Sequence, residues 1–327
     1  MRYLVGVDIG GTNIVVGTVA EDGSAVHGVR SAPTLPAEGP QAVLGRIARL
    51  VQASIAETEK TAGVPRDKVV GVGIGSPGPL DRERGLVLLT PNLGWRDLPL
   101  RDLVSEAVGL PASLDNDANC AVYGEWWVGA ARGAKYVVGL TIGTGIGGGI
   151  VLDGRIYHGA SDVAGEVGHT TIDSTGRLCK CGNYGCLEAY ASGPAIAARA
   201  VEGIVAGVET RLPALAGGDL AKVTAETVYE AARTGDEYAL ELVKDTAKFL
   251  GAGVGNLVNI FNPEIVVIVG GVTMAGDQLF VPLRSEVKRR AFKPAVDRCR
   301  IVPGELPGTA GVVGAVATFK SQVWGDV

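Results

Sequence analysis

Four clusters of residues in this sequence have side chains whose types and spacing suit ligand binding or catalysis. The first is Asp8-Ile9-Gly10-Gly11-Thr12. Adjacent glycines let backbone N–H groups approach a polyphosphate with no Cβ in the way, the Thr12 hydroxyl adds a donor, and Asp8 is a candidate holder of the Mg²⁺ that bridges phosphate oxygens. A lone glycine turn is more often a plain hairpin than a phosphate cradle. The second cluster shifts that balance. Thr141-Ile142-Gly143-Thr144-Gly145 repeats the pattern and continues to Gly149, and two such hairpins can grip one nucleotide from both sides. Gly270-Gly271, closing the apolar run Ile265 to Val269, offers a third close backbone approach, assigned to the adenosine.

The third cluster is His169, Cys179, Cys181 and Cys186, spaced His-x9-Cys-x-Cys-x4-Cys. Three thiolates and one imidazole satisfy a tetrahedral Zn²⁺. A redox pair is the competing reading, but its usual spacing is Cys-x-x-Cys. Cys120 and Cys299 lie outside the cluster and read as inert, buried thiols. The fourth cluster is Asp115-Asn116-Asp117-Ala118-Asn119. Transfer of a phosphoryl group to a hydroxyl needs a carboxylate that accepts the hydroxyl proton, and either Asp115 or Asp117 is a candidate. The same residues are good helix N-caps, a role compatible with catalysis. Glu166 and Glu188 flank the cysteines, and each taken singly reads as a solvated surface residue. Trp126-Trp127 sit in a helical context, which favours core packing over stacking on a ligand.

These residues need an α/β framework. Tyr3 to Asp8 and Ile14 to Val19 read as strands around a glycine turn. The segment from Val138 to Gly145 lines up with Val5 to Thr12 and is again followed by an apolar strand, the mark of an internal repeat. Helical spacing runs from about 41 to 62, 118 to 128, 188 to 207, 224 to 232, 238 to 259 and 311 to 323, with buried strands at 69–74 and 263–269. A hinge is expected near residue 117. It divides the chain into one lobe of residues 1–117 plus 311–327, carrying the first phosphate loop, and another of 118–310, carrying the second loop, the cysteines and the adenosine strand.

Composition narrows the partners. With 46% hydrophobic residues in 327, the chain can bury a sizeable core, which excludes disorder. Its 49 glycines follow no Gly-X-Y period and are accompanied by only 16 prolines, which excludes a collagen-like chain. A net charge of −5 opposes nucleic acid or an anionic membrane as partner, so a small molecule is expected. An acidic residue at position 8 arrives too early for a signal-peptide apolar region. No uncharged stretch spans a bilayer, and an odd count of 5 cysteines fits the reducing cytoplasm.

Taken together, Asp8-x-Gly-Gly-Thr, Ser76-Pro77-Gly78-Pro79, Asn92-Leu93-Gly94-Trp95, Asn116-Asp117-Ala118-Asn119, Glu166-x-Gly-His169 and the cysteines resemble the ROK family of sugar kinases and sugar-responsive repressors. The motifs stand in family order and cover almost the whole chain. The resemblance implies a two-lobed, actin-like, ribonuclease-H-like ATPase fold, with Mg-ATP and a sugar bound in the interlobe cleft. It further implies ATP-dependent phosphorylation of glucose or a related hexose. Asp117, rather than Asp115, then aligns with the catalytic base, Asn116, Glu166, His169 and Glu188 with sugar-binding residues, and Asn92 and Gly78 with segments that approach the sugar. The zinc becomes structural, with the second ring nitrogen of His169 free for a sugar hydroxyl. A homodimer or homotetramer is implied as well. The rival within the family is a sugar-sensing repressor, whose relatives carry a DNA-binding segment ahead of the ATPase-like region. The early Asp8 motif and the acidic charge oppose it. An actin-like filament protein shares the hairpins but gives no reason for the cysteines.

Overall fold

Apolar residues in Tyr3–Ile9 (β1) and Asn13–Ala20 (β2) make an antiparallel hairpin closed at Gly10–Thr12, and Val26–Pro33 (β3) adds to its far side. Helix α1, Pro40–Ala62, buries Val43, Ile47, Val51 and Ile55, spaced four apart along one face, and stops at Gly63 in the left-handed conformation. It leads into Val69–Ser76 (β4), parallel to β1. Three short strands, Leu80–Asp81 (β5), Leu86–Thr90 (β6) and Trp95–Leu98 (β7), form a separate small sheet. Helix α2, Leu100–Val108, then precedes Ala112–Asn116 (β8), which runs parallel to β4, and α3, Asp117–Trp127. The main sheet is ordered β3-β2-β1-β4-β8.

The same succession recurs. Tyr136–Ile142 (β9), Ile146–Leu152 (β10) and Arg155–Ile156 (β11) are followed by helices Glu188–Ala191 (α4), Gly193–Val205 (α5), Leu212–Leu215 (α6), Ala225–Arg233 (α7) and Glu237–Phe261 (α8). Ile265–Val269 (β12), Asp277–Arg290 (α9), Lys293–Val296 (α10), Arg300–Pro303 (β13) and Ala310–Phe319 (α11) complete the chain. The second sheet is ordered β11-β10-β9-β12-β13, with β12 parallel to both neighbours. An antiparallel trio extended by two parallel strands thus appears twice, which is the ribonuclease-H-like topology.

The structure, a computed structural model, describes residues 1–325 and 327. They divide into two units: Met1–Ala134, Gly149–Gly165 and Glu305–Val327 form the first, and Lys135–Gly148 with Glu166–Gly304 the second. This differs from the expected hinge at 117. Helix α3 stays with the first unit because it packs on α11 at backbone distance: a Cβ on Gly314 would overlap the Cys120 carbonyl, and one on Gly124 the carbonyl of Ala310. Many of the glycines therefore serve helix packing rather than ligand approach. The helix expected from 188 to 207 is two helices. The Ser192 side chain accepts from Ala195 N–H and Pro194 occupies the first turn, so α5 starts afresh. The last helix ends at Phe319 and passes into a π-helical turn, Lys320–Trp324. Among the described residues no helix is long and apolar enough to cross a membrane.

Candidate active site

In a continued strand Asp115 and Asp117 would share one face, because side chains alternate with period two. The helix that begins at Asp117 separates them. Asp115 is fully buried and accepts hydrogen bonds from Asn116 N (2.8 Å), Asn119 Nδ2 (3.3 Å), His158 Nε2 (2.9 Å) and Gln322 Nε2 (2.9 Å). The Arg82 guanidinium stands 3.7 Å away. A carboxylate offers about four acceptor sites, so little capacity remains for a substrate. Asn116 caps α3, its Oδ1 accepting from Ala118 N and Asn119 N, while its Nδ2 lies beside Gly78. Asp117 is half-buried and accepts from Ala118 N at 2.9 Å. Near it in the same unit is Asp8, whose carboxyl is pushed up to about 7 by burial and then by the Asp117 charge. Asp8 also presses on Gly311, in the first turn of α11. Asp8 and Asp117 thus lie against the starts of α11 and α3, where the helix dipole favours negative charge; in α3 the Asn116 cap already takes Ala118 N and Asn119 N.

Beside this pair the first glycine loop is pinned from behind. Thr34, wholly buried, donates its N–H to Thr12 O (2.8 Å) and its hydroxyl to Gly10 O (2.7 Å), and Gly10 N–H reaches Asn13 O at 2.8 Å. Gly11 and Thr12 remain exposed. A Cβ on Gly11 would meet only Asn92, at 3.8 Å, so no protein contact demands that glycine, and Asn92 is placed next to the loop.

In the second unit Gly143 accepts from Gly193 N–H and donates to Gly145 O, both at 2.9 Å. A Cβ on Gly143 would meet nothing within 4 Å. Thr144 is exposed at the tip, and Thr141 pairs with Val269, which brings Gly270 and Gly271 beside the loop. Gly270 is required by the backbone, with φ 110° and no room for a Cβ against Ile142 O. A cavity of about 80 Å³ opens between Gly143, Gly193, Glu226, Tyr229 and Gly271. The Tyr229 hydroxyl is buried there without a hydrogen-bond partner, a state that costs free energy unless something else supplies the bond.

The four cluster side chains converge in this unit. His169 Nδ1 is 3.8 Å from Cys179 Sγ, Cys181 and Cys186 Sγ are 3.7 Å apart, and all four ligand atoms lie within 4.8 Å of one another. Thiolates on one tetrahedral zinc are about 3.8 Å apart, so the donor set fits in number, type and spacing. His169 Nε2 faces the other way, 4.0 Å from Glu166 Oε2. Glu188 joins the cluster to the second glycine loop: Oε2 accepts from Ile146 N at 2.9 Å and Oε1 lies 3.9 Å from Cys179 Sγ. Of the candidates, Asp8, Gly10, Gly11, Thr12, Gly78, Asn92, Asn116 and Asp117 lie on the first unit. Thr141, Gly143, Thr144, Gly145, Glu166, His169, the three cysteines, Glu188, Gly270 and Gly271 lie on the second. Sequence reasoning missed Thr34, His158, Gln322, Gly193, Glu226 and Tyr229. Only Gly193 carried a signal, the Ser-Gly-Pro helix start. Trp126 stacks on Tyr123 with centroids 4.6 Å apart, and Trp127 packs with the Leu4–Phe319 cluster, as core residues do.

Residues 4–322 match the ROK family. A glucokinase of Thermotoga maritima is 40% identical over 323 residues, covering 98% of this chain and 98% of its own. A xylose repressor of Caldicellulosiruptor bescii is 36% identical over 278 residues, 85% of this chain and 69% of the repressor. A solved ROK family glucokinase from Streptomyces griseus, in complex with glucose and AMPPNP, matches with a TM-score of 0.84 at 35% identity, covering 97% of this chain and 98% of that one. Family motifs, a twice-repeated fold and likeness over nearly the full length agree, and the chain belongs to the ROK family.

Proposed function

We propose that this protein phosphorylates glucose with ATP, moving the γ-phosphoryl group to the sugar 6-hydroxyl. Full-length similarity to glucokinases supports the activity. The observation that carries the residue assignment is the contrast at the end of β8, where Asp115 has spent its acceptors on protein donors and Asp117 stands half-exposed at a helix start. Asp117 accepts the hydroxyl proton as the oxygen attacks phosphorus and ADP departs. The start of α11 beside Asp8 favours the negative charge of the phosphoryl oxygens through its helix dipole. Asp8 supplies hard oxygen donors suited to magnesium, which when bound would neutralise phosphate charge.

Gly10, Gly11, Thr12, Thr141, Gly143, Thr144 and Gly145 hold the phosphates through backbone N–H and hydroxyl groups. Gly270 and Gly271 border the adenosine, and the small cavity at Tyr229 lies beside them. Sugar-binding roles fall to the Asn116 amide, Asn92, the Gly78 backbone, Glu166, His169 Nε2 and Glu188 Oε1. Zinc is held by His169 Nδ1 and the three thiolates, which fixes the His169 tautomer and leaves Nε2–H as a donor. Reduced thiols suit a cytoplasmic enzyme. The glycines of both loops that no protein contact demands favour a working kinase over a sugar sensor.

A coupled assay of the purified protein with MgATP against glucose, mannose, fructose and the two N-acetylhexosamines tests the reading. Turnover with glucose is expected, and preference for an N-acetylated sugar overturns the substrate while leaving the kinase. Asp117→Asn should lower kcat by about 10²–10⁴ with glucose binding still measurable by calorimetry. Near wild-type turnover in that variant removes Asp117 as the base.

A further inference from the structure

A second cavity lies within the first unit beside Asp115 and is open to solvent at Arg155, Ser321 and Gln322. It offers about 420 Å³, in the range that takes metabolite-sized ligands, and is lined by Arg82, Asp115, Tyr123, Arg155, His158 and Ser321 among others. Its polar lining consists largely of donors. Among the described residues its one lining carboxylate, Asp115, is already engaged by His158, Gln322 and Asn119. Arg82 is steadied through Nε by Asp162 at 2.9 Å and turns Nη1 toward Asp115 at 3.7 Å. Arg155 has no carboxylate partner among the described residues. The π-helical turn Lys320–Trp324 brings Ser321 and Gln322 to the rim, and Gln322 also reaches the Leu114 carbonyl on β8. A π turn costs backbone hydrogen-bond geometry and is found disproportionately at functional sites.

We infer that this cavity is a regulatory site for a small phosphorylated metabolite, its phosphate taken by Arg155 and Arg82. A pocket of donors with two guanidiniums matches the acceptor oxygens of a phosphomonoester, and the volume leaves room for a short carbon chain beyond it. The link to catalysis is covalent and short. Asp115 forms the cavity wall and Asp117 is two residues further on, across the start of α3. A dianion that draws Arg82 away from Asp115 changes the balance of donors holding that strand end, and with it the seat of Asn116 and Asp117. The binding part stands independently of the kinase reading, whereas the kinetic part rests on it.

The test uses the full-length protein with glycerol 3-phosphate and sorbitol 6-phosphate as probes, titrated calorimetrically in the presence of saturating glucose and a non-hydrolysable ATP analogue. Saturable binding is expected below about 10 mM. Arg155→Glu, at an exposed position that leaves the core untouched, should weaken it by about tenfold to a hundredfold without changing kcat or KM for glucose when no probe is present. Arg155→Lys should recover part of the loss. Bound probe should shift KM for glucose or kcat in the wild type and not in Arg155→Glu. Absence of saturable binding, or binding indifferent to Arg155→Glu, overturns the site. Binding through Arg155 that leaves both kinetic constants unchanged overturns its regulatory role.

Discussion

Asp115 and Asp117 show how far environment, rather than residue type, decides a role. Asp115 holds together donors from four parts of the first unit, so replacing its charge should register as lost stability. Asp115→Asn leaves Arg82 and His158 facing a neutral amide in a buried setting, a change worth about 3–5 kcal/mol. Asp117→Asn, at a half-exposed position and close to isosteric, should melt close to wild type while turnover collapses. Calorimetric melting and kcat measured side by side separate the two, and equal loss of stability in both variants would contradict the division. Tyr229 offers a similar contrast in the second unit. Its buried, unpartnered hydroxyl costs stability in the free protein, so Tyr229→Phe should keep or raise the melting temperature. If the hydroxyl meets the nucleotide, the same variant raises KM for ATP several-fold, as loss of about one hydrogen bond does. An unchanged KM for ATP removes Tyr229 from the nucleotide site.

Helix α8 displays the element-scale version of this argument at its N-cap. Asp236 is buried and accepts from Ala239 N (2.9 Å), Arg211 N (2.7 Å) and Thr210 Oγ1 (3.0 Å). Burial alone pushes its carboxyl up, but the backbone and hydroxyl donors outweigh it and hold the pKa below the ordinary 3.8. A folded-state pKa below the unfolded one means stability that is complete above 3.8 and lost as pH falls through the lowered value. Asp236→Ala should therefore cost about 1–2 kcal/mol at pH 7, with the gap to wild type narrowing once the pH drops below 3.8, as read from urea titrations at neutral and acid pH. A gap that persists unchanged at acid pH contradicts the assignment. Caps of this kind separate what was legible in the sequence from what was not. The two hairpins showed because glycines punctuate strongly β-forming runs, and α1, α7 and α8 because their apolar positions keep helical period. Strands β5 and β11, two residues each, are too short to carry any period. The break at Ser192 was overrun because small apolar residues continue on both sides of it. Asp115's partners stayed hidden for another reason: Arg82, His158 and Gln322 are brought to it only by tertiary packing.

At the scale of the whole molecule, the chain passes from one unit to the other after Ala134, Gly148, Gly165 and Gly304, so neither unit is a contiguous piece and no single cut near residue 117 could separate them. Each nevertheless has its own apolar core, one built on β1, β4, α1 and α2, the other on β9, β12, α7, α8 and α9. Two cores permit two unfolding transitions, and the cysteine cluster belongs to one alone. Binding of structural zinc is folding free energy for the segment it closes, and here that segment, from His169 to Cys186, has few buried apolar residues of its own. A strong chelator, or Cys181→Ser, should therefore lower the transition of the second unit by several degrees while leaving the first in place. Glucose affinity should fall with it, because Glu188 and His169 lose their anchor. Differential scanning calorimetry with metal analysis checks this, with about one zinc per chain expected before chelation. A chelated protein that melts unchanged, or a chain purified without zinc that binds glucose normally, would falsify the structural metal and reduce the four convergent side chains to a reduced thiol cluster.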